Sequence, residues 1–247
     1  RIHRVVLEGG HQPNVIPKCT KIWWYFRDAT AEGAEKLFEH AKKVAEGAAL
    51  MTNTEWEYTV LSAVWPVRGN QTVAEVVQRN IECVGMPEWD KAEEELARSL
   101  QKSAGVAVDG LHHTVNSLDG PAEQRFSAND AGDVSWKVPT SKFYYPGNIP
   151  NISYHHWAAG VALATSIAHK GALAGAGTLA ASALDFLMKP ELVETAWDSF
   201  RDELAGAEYR PLLPVGQDPP ADLNRAMMET FRPQMREHYL KEKPEFV

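Results

Sequence analysis

The segment from 166 to 188 constrains the fold more than any other part of the chain. Its sequence, SIAHKGALAGAGTLAASALDFLM, is rich in small residues and predicts one long helix. The smallest side chains recur on one face of this helix, at Gly171, Ala174, Gly175 and Thr178. Because these side chains keep that face thin, we expect another part of the chain to pack closely against the helix backbone.

The first 65 residues are typical of a small α+β unit. Two strand-like segments, 2–7 and 20–27, come first, and the second alternates its aromatic residues between two faces. Thr30 is suited to cap a helix that runs to about Met51. Residues 55–65 then indicate a second long strand.

Helical patterns dominate after residue 70. The predicted elements are surface helices at 71–84 and 88–104, a short strand at 134–139 and a helix at 190–205. Pro190 suits the first turn of the last helix. The three glutamates at 93–95 indicate a solvated face.

The composition is that of one large globular domain or two smaller ones. A formal net charge of -8 disfavours nucleic acid or an anionic membrane as a partner. No apolar run is expected to reach the roughly 20 residues that a bilayer span needs. Cys19 and Cys83 are isolated from each other and suit a reducing cytosol, so we expect a cytoplasmic location.

The turn EGGHQPNVIP, at 8–17, is a first candidate for a binding site. Pro13 and Pro17 stiffen the turn and hold Asn14 on it, where its amide could bind a ligand or bond its own backbone. Arg27 follows 13 residues later, near the end of the next strand. Asn14 and Arg27 could together grip a carboxylate, although an arginine at such a place also serves in surface ion pairs.

The sequence YHHW, at 154–157, is a second candidate site. One of two adjacent histidines could ligate a metal while the other packs or forms hydrogen bonds. Such a segment cannot complete a zinc site, so further ligands would come from elsewhere, and the alternative is a histidine pair without metal. Asp133, in GDVSW, could orient a ligand or a water, or could cap a loop.

Together these motifs resemble the dinuclear-metal peptidase, aminoacylase and amidohydrolase superfamily, of the carboxypeptidase G and aminoacylase type. GGHQPNVIP, followed at this interval by an aromatic strand that ends in Arg27, resembles its lid domain. Three segments, AEGAALMTNT at 45–54, GDVSW at 132–136 and IAHKG at 167–171, resemble the p-aminobenzoyl-glutamate hydrolase branch of that superfamily. The resemblance runs from Arg1 to about Pro214.

The resemblance implies a fold of the α/β and α+β classes. A truncated ferredoxin-like lid, or dimerisation, domain would occupy 1–69, and the C-terminal half of an α/β metallopeptidase catalytic domain would occupy 70–247. The family's His-x-Asp motif, Glu-Glu pair and a further ligand have no counterpart here, so we expect a companion chain, cleavage or omission of that half. Without it, a sheet edge and an apolar helix face would be uncovered.

The resemblance also implies roles for particular residues. Asn14 and Arg27 would recognise the substrate carboxylate, and His155, fourteen residues before His169, would be the C-terminal metal ligand. Asp133 would lie behind that ligand and orient it, and His156, which replaces a small polar residue of the family, would also lie behind it and is the less suited of the two histidines to bind the metal. The implied cofactors are two divalent ions, zinc or manganese, and no catalytic residue of the family falls in this chain.

The implied activity is metal-dependent hydrolysis of the amide bond of N-acyl amino acids similar to p-aminobenzoyl-glutamate. This chain would supply the lid and one metal ligand, and a glutamate from the other half would move the proton. The expected partners are the small-molecule substrate and a second copy bound through the lid, or a related subunit. The alternative is a non-catalytic dimerisation or regulatory subunit, or an inactive fragment of such a hydrolase.

Overall fold

A computed structural model describes residues 1–118 and 129–237 of the chain. The elements within these residues are β1 (Ile2–Glu8), β2 (Lys21–Phe26), α1 (Ala31–Thr52), α2 (Gln71–Val84), α3 (Lys91–Ala104), α4 (Ala131–Ser135), α5 (Trp157–Ala162), α6 (Ser166–Met188), α7 (Pro190–Leu204) and α8 (Arg225–Glu237). This mixture of helices and a small sheet confirms the α+β class. The predicted truncated lid and catalytic half remain predictions.

The chain forms two compact units. The first contains residues 1–44 and 64–210, and the second contains 45–63 and the chain from 211 onward, as far as the structure describes it. The predicted division into domains at 1–69 and 70–247 stays a prediction.

Strands β1 and β2 form an antiparallel hairpin, as the sequence predicts, with Ile2 opposite Phe26 and Glu8 opposite Lys21. Every residue from Arg1 to Trp23 is exposed. Among the described residues these two strands are the whole sheet, so each has an outer edge without a partner strand. The expected uncovered sheet edge is therefore present.

Helix α1 begins where the sequence places its cap. The hydroxyl of Thr30 accepts a hydrogen bond from the backbone N–H of Gly33, at 3.0 Å. The rings of Phe26 and Phe38, 5.7 Å apart between centroids, join the helix to the hairpin. The cap satisfies a backbone donor that the first turn of a helix would otherwise leave unpaired.

The thin face of α6 packs closely against the segment around Tyr145, as predicted. A β-carbon built on Gly171 would lie 1.7 Å from the carbonyl oxygen of Pro146, a distance that no side chain tolerates. Four residues on, a β-carbon at Gly175 would lie 3.6 Å from the Tyr145 ring. The Tyr145 hydroxyl is 2.9 Å from that of the buried Thr178. Small residues on α6 thus place residues 145–147.

The opposite face of α6 is apolar and exposed, with Leu173, Leu179 and Leu187 all more than 60% accessible. Among the described residues, α6 is the one helix long and apolar enough to cross a membrane by length and composition. The expectation that no apolar run reaches this length is therefore wrong. The helix is apolar enough because its charged residues, Lys170 and Asp185, lie near its two ends. Core helices of soluble proteins pass the same test, so the absence of a membrane partner stays a prediction.

The prediction of a solvated face at 93–95 is wrong for Glu93, whose side chain is only 4% exposed. The Glu93 carboxylate accepts hydrogen bonds from Lys170 Nζ at 2.7 Å and Ser166 Oγ at 2.6 Å, both on α6. It also closes the capping box of α3 with Asp90. Glu93 is buried because it lies on the face of α3 that carries the buried Ala97.

The predicted strand at 55–65 is absent, because no described segment offers it a partner for backbone hydrogen bonds. The Val60 carbonyl instead accepts from the Gln217 side chain, at 2.6 Å. At the end of this segment the Trp65 indole is buried and donates to the Arg210 carbonyl, at 2.6 Å. Individual side-chain contacts therefore replace a sheet ladder.

The prediction of a strand at 134–139 is also wrong, since the chain forms the end of α4 there and then a turn. The Ser135 hydroxyl bonds back to the Gly132 carbonyl at 2.6 Å and accepts from Arg68 N–H at 3.0 Å. A β-carbon at Gly132 would lie 1.8 Å from the Trp65 carbonyl oxygen. These local bonds favour a helical turn over an extended strand.

The contact between Gly171 and Pro146 gives a direct stability prediction. Gly171→Ala should lower the free energy of unfolding by about 1–3 kcal/mol, because the added methyl group overlaps a backbone carbonyl. Gly177→Ala is the matched control on α6, since the nearest atom to its added β-carbon is 4.0 Å away. That control should raise stability by about 0.5–1 kcal/mol through helix propensity. Chemical denaturation measures both, and equal effects would contradict the contact.

The buried Glu93 gives a pH prediction. Burial raises the pKa of its carboxyl, but bonds from Lys170, Ser166 and the Asp90 backbone outweigh burial and hold the pKa below its ordinary value of 4.5. A lowered pKa contributes stability above the unfolded value, and this contribution is lost as the pH falls through about 4.5 and below.

Glu93→Gln should therefore flatten the acid limb of stability against pH and cost about 1–3 kcal/mol near neutral pH. Glu95→Gln is the control, because the Glu95 side chain is 68% exposed and pairs with Lys91 at the surface. Denaturation at a series of pH values gives the slopes. An acid limb of unchanged slope in Glu93→Gln would show that this carboxylate does not stabilise the fold.

Candidate functional site

The two adjacent histidines lie at the end of a loop, residues 145–156, that α6 and α3 hold in place. Gly171 of α6 allows Pro146 to approach, as described above. The buried Gln101 of α3 donates from Nε2 to the Pro150 carbonyl at 3.0 Å and to the Gly110 carbonyl at 3.1 Å. Its Oε1 accepts from Gly110 N–H at 2.9 Å, so every polar atom of this side chain has a partner.

Two asparagines shape the loop from within. Asn148 donates from Nδ2 to the Ile152 carbonyl at 2.8 Å, and its Oδ1 accepts from Ile149 N–H at 2.9 Å. Asn151 has φ 68°, in the left-handed region, and its amide donates to Asp109 Oδ2 at 2.8 Å. Asparagine tolerates this backbone conformation better than most residues.

The loop delivers His155 to the surface between two buried anchors. Ile152 precedes it and Ala158 follows it, and both belong to the hydrophobic core. The core residues are Ala97, Leu100, Leu111, Ile149, Ile152, Ala158, Ala159, Ala162 and Ile167. His155 itself is exposed, and within the described part of the chain its imidazole makes no hydrogen bond. Its ring nitrogens are therefore available to a ligand.

His156 is held differently from its neighbour. It is the N-cap of α5, with φ -99° and ψ 147°, and its Nδ1 accepts from Ala158 N–H at 3.2 Å. Its ring lies 5.3 Å from the Trp157 ring, between centroids. One of its nitrogens is thus already used by the backbone.

A cavity of about 390 Å³ surrounds these side chains. Its lining residues are Asn148, Tyr154, His155, His156, Trp157, Ala159, Gly160 and Leu163. The wall combines imidazole and amide groups with aromatic and aliphatic side chains, which is the mixture that small-molecule sites use.

The donor set around His155 fits one ligand of a metal site but not a whole site. Among residues 1–118 and 129–237, no group of three or more His, Cys, Asp or Glu side chains is placed to hold a metal ion. Zinc needs three or four protein ligands, so a metal here would take the rest from outside the described residues. An exposed imidazole without a hydrogen bond is suited to be one of them.

Asp133 has another partner and does not line this cavity. It accepts a hydrogen bond from the Tyr209 hydroxyl at 3.0 Å. Burial raises the pKa of Tyr209, and the bond to Asp133 and its negative charge raise it further. The structure thus gives Asp133 a role in holding Tyr209, and its predicted place behind the metal ligand remains a prediction.

Asn14 and Arg27 lie at opposite ends of the hairpin. Asn14 is in the exposed connection between Glu8 and Lys21, whereas Arg27 shares backbone hydrogen bonds with Arg1 at the other end. The paired strands between these ends span roughly 20 Å. The structure therefore does not bring the two together around one carboxylate, and their separate roles in binding remain predictions.

Sequence reasoning missed two residues that build this site, Gln101 and Asn148, and the capping role of a third, His156. Gln101 could have been found, since it is a polar residue on the inward stripe of α3 beside Leu100. Nothing in the sequence marks Asn148 as part of a site, except that asparagine is common in turns. His156 was missed as a cap because caps are usually Ser, Thr, Asp or Asn.

Curated proteins of similar sequence include a hydrolase subunit and two dipeptidases. A p-aminobenzoyl-glutamate hydrolase subunit of Escherichia coli K12 is 26% identical over 222 residues, which cover 78% of this chain and 46% of that protein. The Xaa-Arg dipeptidase of Mus musculus is 25% identical over 208 residues, covering 83% and 41%. The human Xaa-Arg dipeptidase is 26% identical over 210 residues, covering 85% and 42%.

The predicted resemblance is confirmed. This chain is similar to a hydrolase subunit and to dipeptidases. No family model matches the chain. The chain spans less than half the length of the curated relatives that it matches, at 41–46%.

Proposed function

We propose that this chain is part of a metal-dependent hydrolase that cleaves the amide bond of N-acyl amino acids similar to p-aminobenzoyl-glutamate. The observation that carries this proposal is the exposed His155, whose imidazole has no hydrogen bond to any described residue, in a chain similar to a p-aminobenzoyl-glutamate hydrolase subunit and to dipeptidases. Its imidazole would hold one of two divalent ions, zinc or manganese. Such ions polarise a scissile carbonyl and lower the pKa of a bound water.

The chain's own residues would position and enclose the substrate. The open cavity beside His155 offers the exposed apolar side chains of Trp157 and Leu163 to an acyl group. We propose that Arg27 and Asn14 each bind the substrate carboxylate, Arg27 with two parallel hydrogen bonds. Because Arg27 and Asn14 lie at opposite ends of one hairpin, the two residues of one copy would contact different substrate molecules. Two copies joined through the lid would provide such a pair of binding sites.

A second candidate function is a non-catalytic dimerisation or regulatory subunit. It is favoured by one observation, namely that the described residues lack a cluster of three metal-binding side chains. The two candidate functions differ in one measurable property: the hydrolase predicts metal bound to the native protein that carries this chain, and the non-catalytic subunit predicts none. For either candidate we propose a homodimer in the cytoplasm. Sedimentation at several concentrations tests the dimer, and a monomer at every concentration would contradict it.

His155→Ala is expected to lower the zinc or manganese content of the native protein, because it removes one ligand from the site. Hydrolysis of p-aminobenzoyl-glutamate should fall with it. His113→Ala is the control, since His113 is an exposed histidine that pairs with Glu94 and does not line the cavity. Elemental analysis of purified proteins measures the content. If metal and activity are both unchanged in His155→Ala, the ligand assignment fails, and absence of both from the wild type favours the second candidate.

Arg27→Ala is expected to raise KM about tenfold or more for substrates with a free carboxylate, because a charge-assisted bond is lost. It should change KM little for the corresponding amides. Arg4→Ala is the matched control, since Arg4 lies on β1 with its guanidinium over the Trp24 ring, 5.3 Å from the centroid. Steady-state kinetics on both substrates gives the answer, and an equal rise for both would remove Arg27 from carboxylate binding.

A further inference from the structure

The side chain of His156 fixes the backbone of the segment that contains His155. Its Nδ1 accepts from Ala158 N–H, and its own carbonyl accepts from Ala159 N–H at 3.0 Å. Its N–H bonds back to the Ser153 carbonyl, also at 3.0 Å. Three hydrogen bonds through one residue therefore define the turn that contains His155.

These bonds matter because α5 is short. It has six residues, and its inward side consists of Ala158, Ala159 and Ala162, which are buried but small. A short helix leaves most of its first N–H groups without partners, so a side-chain cap contributes a large share of its local stability. Loss of the cap would leave the segment before Ala158 free to change direction.

The cap also determines what the His156 ring can bind. A neutral imidazole that accepts a hydrogen bond at Nδ1 carries its proton on Nε2. Neither nitrogen then offers a lone pair to a cation. The cap therefore leaves the imidazole of His155, which makes no hydrogen bond within the described residues, as the one of the two suited to bind a cation.

We propose that His156 is a positioning residue, whose cap on α5 fixes the direction of the His155 imidazole and keeps its own ring out of the metal coordination. This inference rests on the proposed role of His155 as a ligand. It assigns the two adjacent histidines separate tasks, one binding the cation and the other holding the backbone. Residues that orient a metal ligand typically change metal affinity 10- to 100-fold when they are removed.

Two substitutions separate the cap from ligation. His156→Asn keeps a side-chain acceptor suited to an N-cap, whereas His156→Ala removes it. Zinc titration of the metal-free native protein should give wild-type affinity, within about threefold, for His156→Asn and a loss of about 10- to 100-fold for His156→Ala. Wild-type affinity in His156→Ala would overturn the inference. An equal loss in both variants would also overturn it, because His156 would then be acting through its ring and not as a cap.

A second measurement needs no metal. The nitrogen NMR signals of His156 in the metal-free protein should show the proton on Nε2, and a proton on Nδ1 would overturn the inference directly. His155→Ala separates a failure of the ligand assignment for His155 from a failure of the inference about His156. If it leaves zinc affinity unchanged, the ligand assignment fails and this inference fails with it. If it lowers affinity while His156→Ala does not, only the inference about His156 fails.

Discussion

The site depends on the close approach between the backbone of α6 and the carbonyl of Pro146. Glycine at position 171 is the only residue that leaves room for this oxygen. The contact sets where the loop from 145 to 156 starts, and Gln101 and the buried Ile152 set its course. His155 lies at the surface between two buried anchors, Ile152 before it and Ala158 after it.

The sequence predicted those parts of the fold that short-range patterns determine. The thin face of α6, the Thr30 cap and the bounds of α2 and α6 follow from side-chain size, capping chemistry and helical periodicity. The strand at 55–65 was mispredicted because a strand needs a distant partner, which no local pattern reveals. Glu93 was misplaced for a similar reason, since the Lys170 that pairs with its buried carboxylate comes from a helix far along the chain.

The candidate site was predictable in its chemistry but not in its geometry. A histidine pair at the end of a loop indicated metal binding, and the resemblance named His155 as the ligand, yet only the structure shows that His155 is exposed and that His156 caps α5. The register of the hairpin separates Asn14 from Arg27, although their spacing of 13 residues suggested a shared ligand. Asp133 likewise meets Tyr209, 76 positions away, which no motif around Asp133 predicts.

The central claim is that His155, and not His156, offers its imidazole to a divalent cation. Anomalous diffraction from crystals of the native protein, at the zinc and manganese absorption edges, tests it most directly. The account predicts a peak about 2.0–2.2 Å from a ring nitrogen of His155, with Nδ1 of His156 still bonded to the backbone of α5. A peak on His156, or a metal site with His155 turned towards solvent, would contradict the account.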